Sequence, residues 1–283
     1  MTYAKPDALV SSEWLASHLE DDGVKVIDVS YFHPSLKRDA KAEYAAKHIS
    51  GAVRFDIDSI KMPDDPRPHM LPTPEIFAAK VGALGIANRH RVICYDTLGL
   101  QSAARAWWMF RIFGHERVAV LDGGLVKWLA EGHPITDRKQ TPKPESFTAR
   151  FRPELVKALG EVRANMAEKH FQLVDARAAG RFKGVEPELW PGRPGHIPGS
   201  LNLPYPDILD PKLKTLLPAD ALVAKFKQAG VDLSKPVAMT CGSGVTACIP
   251  ALAAYLLGHE NVAIYDGSWA EWGLRIDTPA ETG

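Results

Sequence analysis

Residues 237–247 read Val-Ala-Met-Thr-Cys-Gly-Ser-Gly-Val-Thr-Ala, and an apolar run from Cys248 to Leu257 follows them directly. The short apolar segment before the cysteine is typical of a buried strand, and the run after it predicts a buried helix that ends at Gly258. The turn between strand and helix carries a thiol, Cys241. A strand that leads through a tight turn into a helix is the building unit of α/β proteins.

The turn after Cys241 has the composition of an anion-binding loop. Gly242 and Gly244 allow a tight turn, in which several backbone N–H groups can point toward one spot near a helix N-terminus. Negative charge is favoured there, which would keep Cys241 as the nucleophilic thiolate. The alternative is a small core cysteine. We favour the nucleophile because two glycines and two hydroxyl residues, Ser243 and Thr246, contribute little to packing.

Strand and helix signals alternate along the rest of the chain. Predicted strands cover Lys25–Asp28, Val92–Tyr95 and Val118–Leu121. Predicted helices cover Leu9–Leu19, a segment that starts at Thr73 and includes the apolar run Phe77–Leu84, and Ser102–Phe113. This alternation predicts an α/β fold in which a largely parallel sheet has helices on both faces.

The second half of the chain repeats the order of the first. Segments that contain Asp28, Gly51, Gly114 and Asp122 recur around Asp175, Gly199, Gly258 and Asp266, at offsets between 144 and 148 residues. A nearly constant offset over more than a hundred residues indicates tandem duplication of one α/β domain. The predicted domains span residues 1–137 and 154–283, and a proline-rich linker spans residues 138–153.

The duplication supplies an internal comparison for the cysteine. The position in the first copy that matches Cys241 is Asp96. An aspartate could hardly replace a cysteine whose only role is packing. We therefore expect one chemical site, carried by the second copy, with the first copy as a supporting half.

Composition excludes several classes of function. The chain has 283 residues and a formal net charge of +0, so bulk electrostatic attraction to nucleic acid or an anionic membrane is not expected. No apolar run reaches the ~18 residues of a membrane span. The three cysteines, Cys94, Cys241 and Cys248, have no metal-ligand spacing, so we expect a cytoplasmic protein without metal or cofactor. Cys94 and Cys248 are predicted to be packed, and redox pairing of Cys248 with Cys241 is the less favoured alternative.

Several segments of the chain resemble those of a known family. Asp175-Ala-Arg177, Gly195-His-Ile-Pro-Gly199, Asp266-Gly-Ser and Cys241-Gly-Ser-Gly-Val-Thr246 are similar to segments of the two-domain rhodanese-type sulfurtransferases. Within that family the likeness is greatest to the 3-mercaptopyruvate sulfurtransferases. The resemblance covers nearly the whole chain and implies two tandem rhodanese-like domains.

The resemblance also implies an activity. Cys241 would accept the sulfane sulfur of 3-mercaptopyruvate as a persulfide, release pyruvate, and pass the sulfur to cyanide or to a thiol such as thioredoxin or glutathione. By the same likeness Ser243 belongs to a proton relay with His69 and Asp58, which lie in the first copy. The site would therefore lie at the interface between the two domains.

An α-keto acid donor presents a carboxylate, which the planar guanidinium of arginine binds with two hydrogen bonds. The resemblance implies Arg181 as the first substrate arginine. Relatives carry a second arginine nine residues later, where this chain has Trp190. Arg193 could supply that charge from a reshaped loop, or it could be a solvated loop residue. The predicted substrate-binding set is completed by Gly242, Gly244, Val245 and Thr246.

Three other functions compete with this one. A cysteine phosphatase needs an arginine six residues after its cysteine, and Ala247 stands there, so we reject it. A thiosulfate sulfurtransferase is the closer rival, although members of the family that prefer thiosulfate carry arginine and lysine where this chain has Gly242 and Ser243. A protein that only relays persulfide to a partner is the third.

Nearby residues receive structural interpretations. Arg177 is expected to pair with a neighbouring acid near the end of its strand. Trp269 and Trp272 are expected to be core or interface aromatics rather than platforms for a substrate.

Overall fold

The computed structural model of the chain describes residues 2–283, which form two five-stranded parallel sheets with the same strand order. The first sheet has the order β1-β5-β4-β2-β3, and its strands are β1 (Leu9–Val10), β2 (Val24–Asp28), β3 (Val53–Arg54), β4 (Arg91–Tyr95) and β5 (Val118–Leu121). The second has the order β6-β10-β9-β7-β8, and its strands are β6 (Val156–Lys157), β7 (Gln172–Asp175), β8 (Leu201–Asn202), β9 (Val237–Thr240) and β10 (Ala263–Tyr265). The predicted α/β fold and the duplication are both confirmed.

Ten α-helices accompany these strands in the described part of the chain. Those of the first half are α1 (Ser12–Ser17), α2 (Ala40–Ala46), α3 (Pro74–Ala83), α4 (Gln101–Ile112) and α5 (Gly124–Ala130). Those of the second half are α6 (Leu159–Glu168), α7 (Ala179–Phe182), α8 (Ala219–Gln228), α9 (Cys248–Leu256) and α10 (Ser268–Trp272). Within residues 2–283, no helix combines the length and the apolar content that crossing a bilayer requires.

Alternating side chains of each strand pack into different cores. In β4, Val92 and Cys94 belong to a large apolar cluster that extends across both domains, whereas Ile93 and Tyr95 belong to a smaller cluster within the first domain. This follows from the two-residue period of a strand, which sends successive side chains to opposite faces. The shared cluster joins the inner faces of the two sheets, so the domains share one apolar seam.

Helices α4 and α9 form the centre of that seam. Each follows the strand that carries Asp96 or Cys241 at its end, and both helices are almost completely buried. Trp107 of α4 meets Tyr255 of α9 edge to face, with ring centroids 5.3 Å apart. The turns before these two helices are therefore brought to the interface between the domains.

The first helix is shorter than predicted. The predicted range Leu9–Leu19 begins with Leu9 and Val10, which form β1 and pair with Val120 and Leu121 of β5. The helix begins only after Ser11, whose hydroxyl accepts a hydrogen bond from the backbone N–H of Trp14. Ser11 thus caps the helix, and the two apolar residues before it pair in the sheet because they can bury both faces there.

Residues 138–153 are extended, and they lie against the first domain. Glu145 N–H donates to the carbonyl of Gly82, Arg150 N–H donates to the carbonyl of Phe113, and the ring of Phe147 meets Phe77 edge to face at 5.8 Å. The segment is thus anchored rather than free. The domain boundaries at residues 137 and 154 stay predictions.

Candidate active site

The Cys241 loop, residues 241–247, lies between β9 and α9. The carbonyl of Cys241 accepts a hydrogen bond from Trp269 N–H, and the carbonyl of Gly242 accepts one from Ala270 N–H, so the first turn of α10 holds the loop. Gly244 has a φ of +76°, in the left-handed region that favours glycine.

The backbone N–H groups of residues 242–247 donate to no acceptor among residues 2–283. Buried amides normally have partners, so a run of free donors beside a thiol is suited to bind an anion. This arrangement agrees with the anion-binding loop that the glycines predict.

Cys241 lies at the floor of a cavity of about 380 Å³ between the two domains. Its side chain is only 1% exposed, so the cavity is the route by which a small molecule would reach the sulfur. Polar residues from both domains line this cavity, namely His33, Ser35, Gln101, Ser102, Arg181, Ser243 and Thr246. Apolar and aromatic side chains form the rest of the wall, namely Tyr31, Leu36, Leu98, Leu189, Trp190, Tyr205 and Val245.

Arg181 is the cation of this cavity. It lies on α7, and its Nη1 is 3.9 Å from the position that a Cβ at residue 242 would take. No carboxylate of residues 2–283 pairs with it within 4.0 Å. A guanidinium that no carboxylate neutralises, beside a buried thiol, can bind the carboxylate of a small substrate.

The structure brings Asp58 and His69 together but does not bond them to Ser243. The Nδ1 of His69 lies 2.9 Å from Oδ1 of Asp58, and its buried Nε2 has no hydrogen-bond partner in the described chain. Although burial opposes it, the adjacent imidazole of His69 holds the pKa of Asp58 below its usual range. Ser243 lines the Cys241 cavity, whereas His69 and Asp58 line a neighbouring cavity of about 570 Å³. A bonded relay through all three stays a prediction.

Trp190 separates these two cavities. Its ring lies edge to face with His33 at 4.9 Å and with His69 at 5.7 Å, and it lines both cavities together with Tyr31. A Cβ at Gly242 would lie 3.1 Å from Cδ1 of Trp190, so the indole packs directly against the Cys241 loop. An aromatic wall therefore stands where the resemblance led us to look for a second cation.

Arg193 does not reach the cavity. Its Nη2 donates to the carbonyl and, over 2.7 Å, to the hydroxyl of Thr278, and its own carbonyl accepts from Trp269 Nε1. These bonds hold Arg193 against the C-terminal segment. Our expectation that it could supply substrate charge finds no support in its position, and Arg181 remains as the cation of the site.

The structural interpretations of the neighbouring residues agree with the structure. Arg177 pairs with Asp175 and Glu188, each at 2.6 Å, and Trp269 and Trp272 are buried in the second domain. Among residues 2–283, no three His, Cys, Asp or Glu side chains gather as metal ligands.

The other two cysteines are buried thiols. Cys248 Sγ donates to the carbonyl of Gly244 at 3.3 Å, and burial raises its pKa well above the usual range. Burial also raises the pKa of Cys94, on β4. A thiol that is kept protonated is a poor redox partner, so packing accounts for both residues.

One charged residue of the seam between the domains was not among the predicted site residues. Arg105 of α4 is completely buried and contacts both the Cys241 loop and His69. An arginine within the apolar run Ser102–Phe113 was the available signal, because a charge on a buried helix requires a partner.

The chain is similar over nearly its whole length to known sulfurtransferases. A family described as "Rhodanese-like domain" matches residues 11–131 and 158–275. The chain is 45% identical over 275 residues to the 3-mercaptopyruvate sulfurtransferase of Homo sapiens, covering 95% of this chain and 92% of that protein. It is also 45% identical over 285 residues to the thiosulfate sulfurtransferase of Bos taurus, covering 97% and 94%. Similarity over the whole chain therefore does not distinguish the two sulfur donors.

A solved structure shows the same architecture. The 3-mercaptopyruvate sulfotransferase SseA of Escherichia coli superposes with a TM-score of 0.85 at 40% identity, over 93% of this chain and 98% of its own. This chain belongs to the family of rhodanese-like domain proteins, and it carries two tandem copies of that domain.

Proposed function

We propose that this chain is a sulfurtransferase that takes the sulfur of 3-mercaptopyruvate onto Cys241 as a persulfide and releases pyruvate. One observation carries the proposal. Cys241 lies beneath a cavity between the domains, beside the free backbone N–H groups of its loop and the unpaired guanidinium of Arg181. Relatives named as 3-mercaptopyruvate and thiosulfate sulfurtransferases support the class of reaction.

The proposed chemistry needs no bound metal. The thiolate of Cys241 attacks the donor sulfur, the carbon–sulfur bond breaks, and its electron pair forms the enolate of pyruvate. The proton of the donor's thiol is transferred to the enolate carbon, so the products are pyruvate and a persulfide anion on Cys241. The free amides of the loop would stabilise that anion. We assign the proton transfer to Ser243 and the His69–Asp58 pair.

An acceptor thiol then takes the outer sulfur as its own persulfide and returns Cys241 to the thiolate. Thioredoxin and glutathione are the thiol acceptors that we propose. Cyanide is the alternative acceptor; it would attack the outer sulfur and leave as thiocyanate, again returning Cys241 to the thiolate. Three free cysteines are typical of a reducing compartment and support a cytoplasmic location, whereas one relative from Arabidopsis thaliana is named as mitochondrial.

Thiosulfate is the alternative donor. A relative of equal identity is named for it, but its leaving group is sulfite, which carries two negative charges. Gly242 and Ser243 offer no cation beside Cys241, and Arg181 alone provides one in the cavity. One cation matches the single carboxylate of 3-mercaptopyruvate better than it matches sulfite. Relay of persulfide to a partner protein without donor cleavage is the second alternative.

The deciding experiment compares the two donors. We expect pyruvate release from 3-mercaptopyruvate to exceed sulfite release from thiosulfate at matched concentrations. Cys241→Ser should abolish both activities, whereas the matched variant Cys94→Ala should keep them, because Cys94 is a buried thiol on β4 that does not line the cavity. Faster turnover of thiosulfate would reassign the donor, and an active Cys241→Ser variant would exclude the nucleophile.

His69 tests whether the first domain contributes to the reaction. His69→Ala should slow pyruvate release by about 10²-fold, since proton transfer by a positioned side chain typically contributes that much. His170→Ala, which changes an exposed histidine of the second domain, should leave the rate unchanged. Equal rates in the two variants would remove His69 from the mechanism.

A further inference from the structure

A buried arginine connects the first domain to the Cys241 loop. Arg105 lies on α4 with 0% of its surface exposed. Its Nη1 donates to the carbonyl of Gly244 at 3.1 Å and lies 2.6 Å from Oδ1 of Asp266, both in the second domain. Its Nη2 donates to the carbonyl of His69 at 2.5 Å. One guanidinium therefore contacts the loop that holds the thiol and the segment that holds the histidine.

The carboxylate of Asp266 completes the connection. While Oδ1 accepts from Arg105, Oδ2 accepts from the backbone N–H of Leu71 at 2.8 Å. Residues 69–71 are thus fixed at two points, from Arg105 and from Asp266. We call Arg105, Asp266 and the carbonyls of His69 and Gly244 the seam clamp.

Comparison of the two duplicated halves shows which contact of the seam clamp occurs in both halves and which occurs in one. Asp122, the counterpart of Asp266, accepts from the backbone N–H of Leu216 at 2.9 Å, and Leu216 is the counterpart of Leu71. Each domain therefore donates one backbone N–H group to an aspartate of the other domain. The residue at the position of Arg105 in the second half is Ile249 or Pro250, depending on whether the offset is 144 or 145 residues. Of the two equivalent aspartates, only Asp266, next to the Cys241 loop, is paired with a buried arginine, Arg105.

We propose that Arg105 is a positioning residue that sets His69 at a fixed distance from the Cys241 loop. The inference rests on the proposed function, because it concerns the reaction at Cys241. Arginine suits this role, since its planar fork donates to several acceptors in fixed directions and stays charged when buried. Its stacking over Trp108, with the guanidinium carbon 4.6 Å from the ring centroid, restricts it further.

A double-mutant cycle tests this role. Arg105→Met should slow pyruvate release at saturating donor by about 10- to 100-fold, because small displacements of a reacting group have effects of this size. The donor KM should stay within about twofold. In a His69→Ala background the same substitution should cost less than about threefold, since the group being positioned is already absent. An equal loss in both backgrounds would overturn the proposal.

Arg111→Met is the matched control. Arg111 lies on the same helix, is also buried, and donates to the carbonyl of Glu260 in the second domain, but it contacts neither the Cys241 loop nor His69. We expect it to lower stability and to leave the rate per folded molecule unchanged. A rate loss equal to that of Arg105→Met would show that any damage to the seam has this effect, and would refute a specific role.

Amide hydrogen exchange followed by mass spectrometry measures the seam clamp independently of pyruvate release. Arg105→Met should speed exchange in residues 69–71, where the Leu71 amide donates to Asp266, and in residues 269–270, whose amides hold the Cys241 loop. Arg111→Met should not change the exchange of either segment. If the unmodified chain releases no pyruvate, the proposed function fails while this measurement still decides the clamp. If Arg105→Met does not fold, Asp266→Asn removes the charge and keeps the shape. Unchanged exchange of both segments in that variant would then overturn the proposal.

Discussion

Two glycines of the Cys241 loop are required for different reasons. Gly244 has a φ of +76°, and a Cβ there would lie 2.8 Å from the backbone carbonyl oxygen of Asp266, which cannot move without displacing α10. A Cβ at Gly242 would instead meet the side chain of Trp190 at 3.1 Å, which can rotate. Neither glycine is a generic flexible residue.

We therefore expect Gly244→Ala to lower pyruvate release by more than about 10²-fold, because backbone strain displaces the free amides. Gly242→Ala should lower the rate only about three- to tenfold, and Trp190→Leu should restore much of it by relieving the contact. Steady-state rates of the two single variants and of the double variant provide the measurement. A milder effect at Gly244 than at Gly242 would contradict this account of the loop.

At the scale of the element, the buried helix α4 makes several different contacts along its length. Arg105 belongs to the seam clamp, Trp107 packs against Tyr255 of α9, and Trp108 Nε1 donates to the carbonyl of Leu155 at 3.1 Å. The indole Nε1 of Trp107 has no partner in the described chain. Two adjacent tryptophans with equal burial thus differ in one hydrogen bond.

This difference gives a stability prediction. Trp108→Phe removes the donor to the Leu155 carbonyl, whereas Trp107→Phe removes only a donor that was unpaired. We expect Trp108→Phe to lower the free energy of unfolding by about 1–2 kcal/mol more than Trp107→Phe does. Urea denaturation of both variants is the measurement, and equal losses would show that the hydrogen bond to Leu155 contributes nothing.

At the scale of the whole molecule, the two domains meet through a pseudo-twofold seam with unequal charge. Asp266 pairs with Arg105, but no buried arginine accompanies its counterpart Asp122. Burial raises the pKa of Asp122 to about 6, although the amide of Leu216 and the charge of Lys127 oppose this. Keeping Asp122 ionised in the folded protein therefore costs free energy.

The sign of the resulting pH dependence follows from that raised pKa. The contribution of Asp122 to stability is fully present below about pH 4, and it is lost as pH rises toward 6, because the unfolded chain ionises first. Asp122→Asn keeps an acceptor for Leu216 without the charge. It should stabilise the protein at pH 7 by at most about 3 kcal/mol, and by less at pH 4.5.

Denaturant midpoints at the two pH values measure this effect. Asp21→Asn, at an exposed aspartate, is the control, and its midpoint should follow that of the unmodified chain. A gain from Asp122→Asn that is the same at both pH values would contradict a titration of Asp122.

Much of the fold followed from local sequence. The apolar strand before Cys241 and the glycines after it predicted the α/β fold and the tight loop, because periodicity and glycine content act over a few neighbouring residues. The nearly constant offset of about 145 residues predicted the duplication. Errors arose where distant partners decided the outcome. Leu9 and Val10 joined a sheet instead of a helix because β5 was available to pair with them.

The sequence by itself identified a thiol in a glycine-containing turn of the second domain as the candidate nucleophile, and the family resemblance pointed to a histidine and an acid in the first domain. Only the tertiary structure decided which of these groups meet. It brought His69 to Asp58, placed Trp190 between two cavities, held Arg193 at Thr278, and buried Arg105 across the seam. The physical reason is distance along the chain. Contacts between residues separated by tens to hundreds of positions depend on how the two domains pack, and no local pattern records that packing.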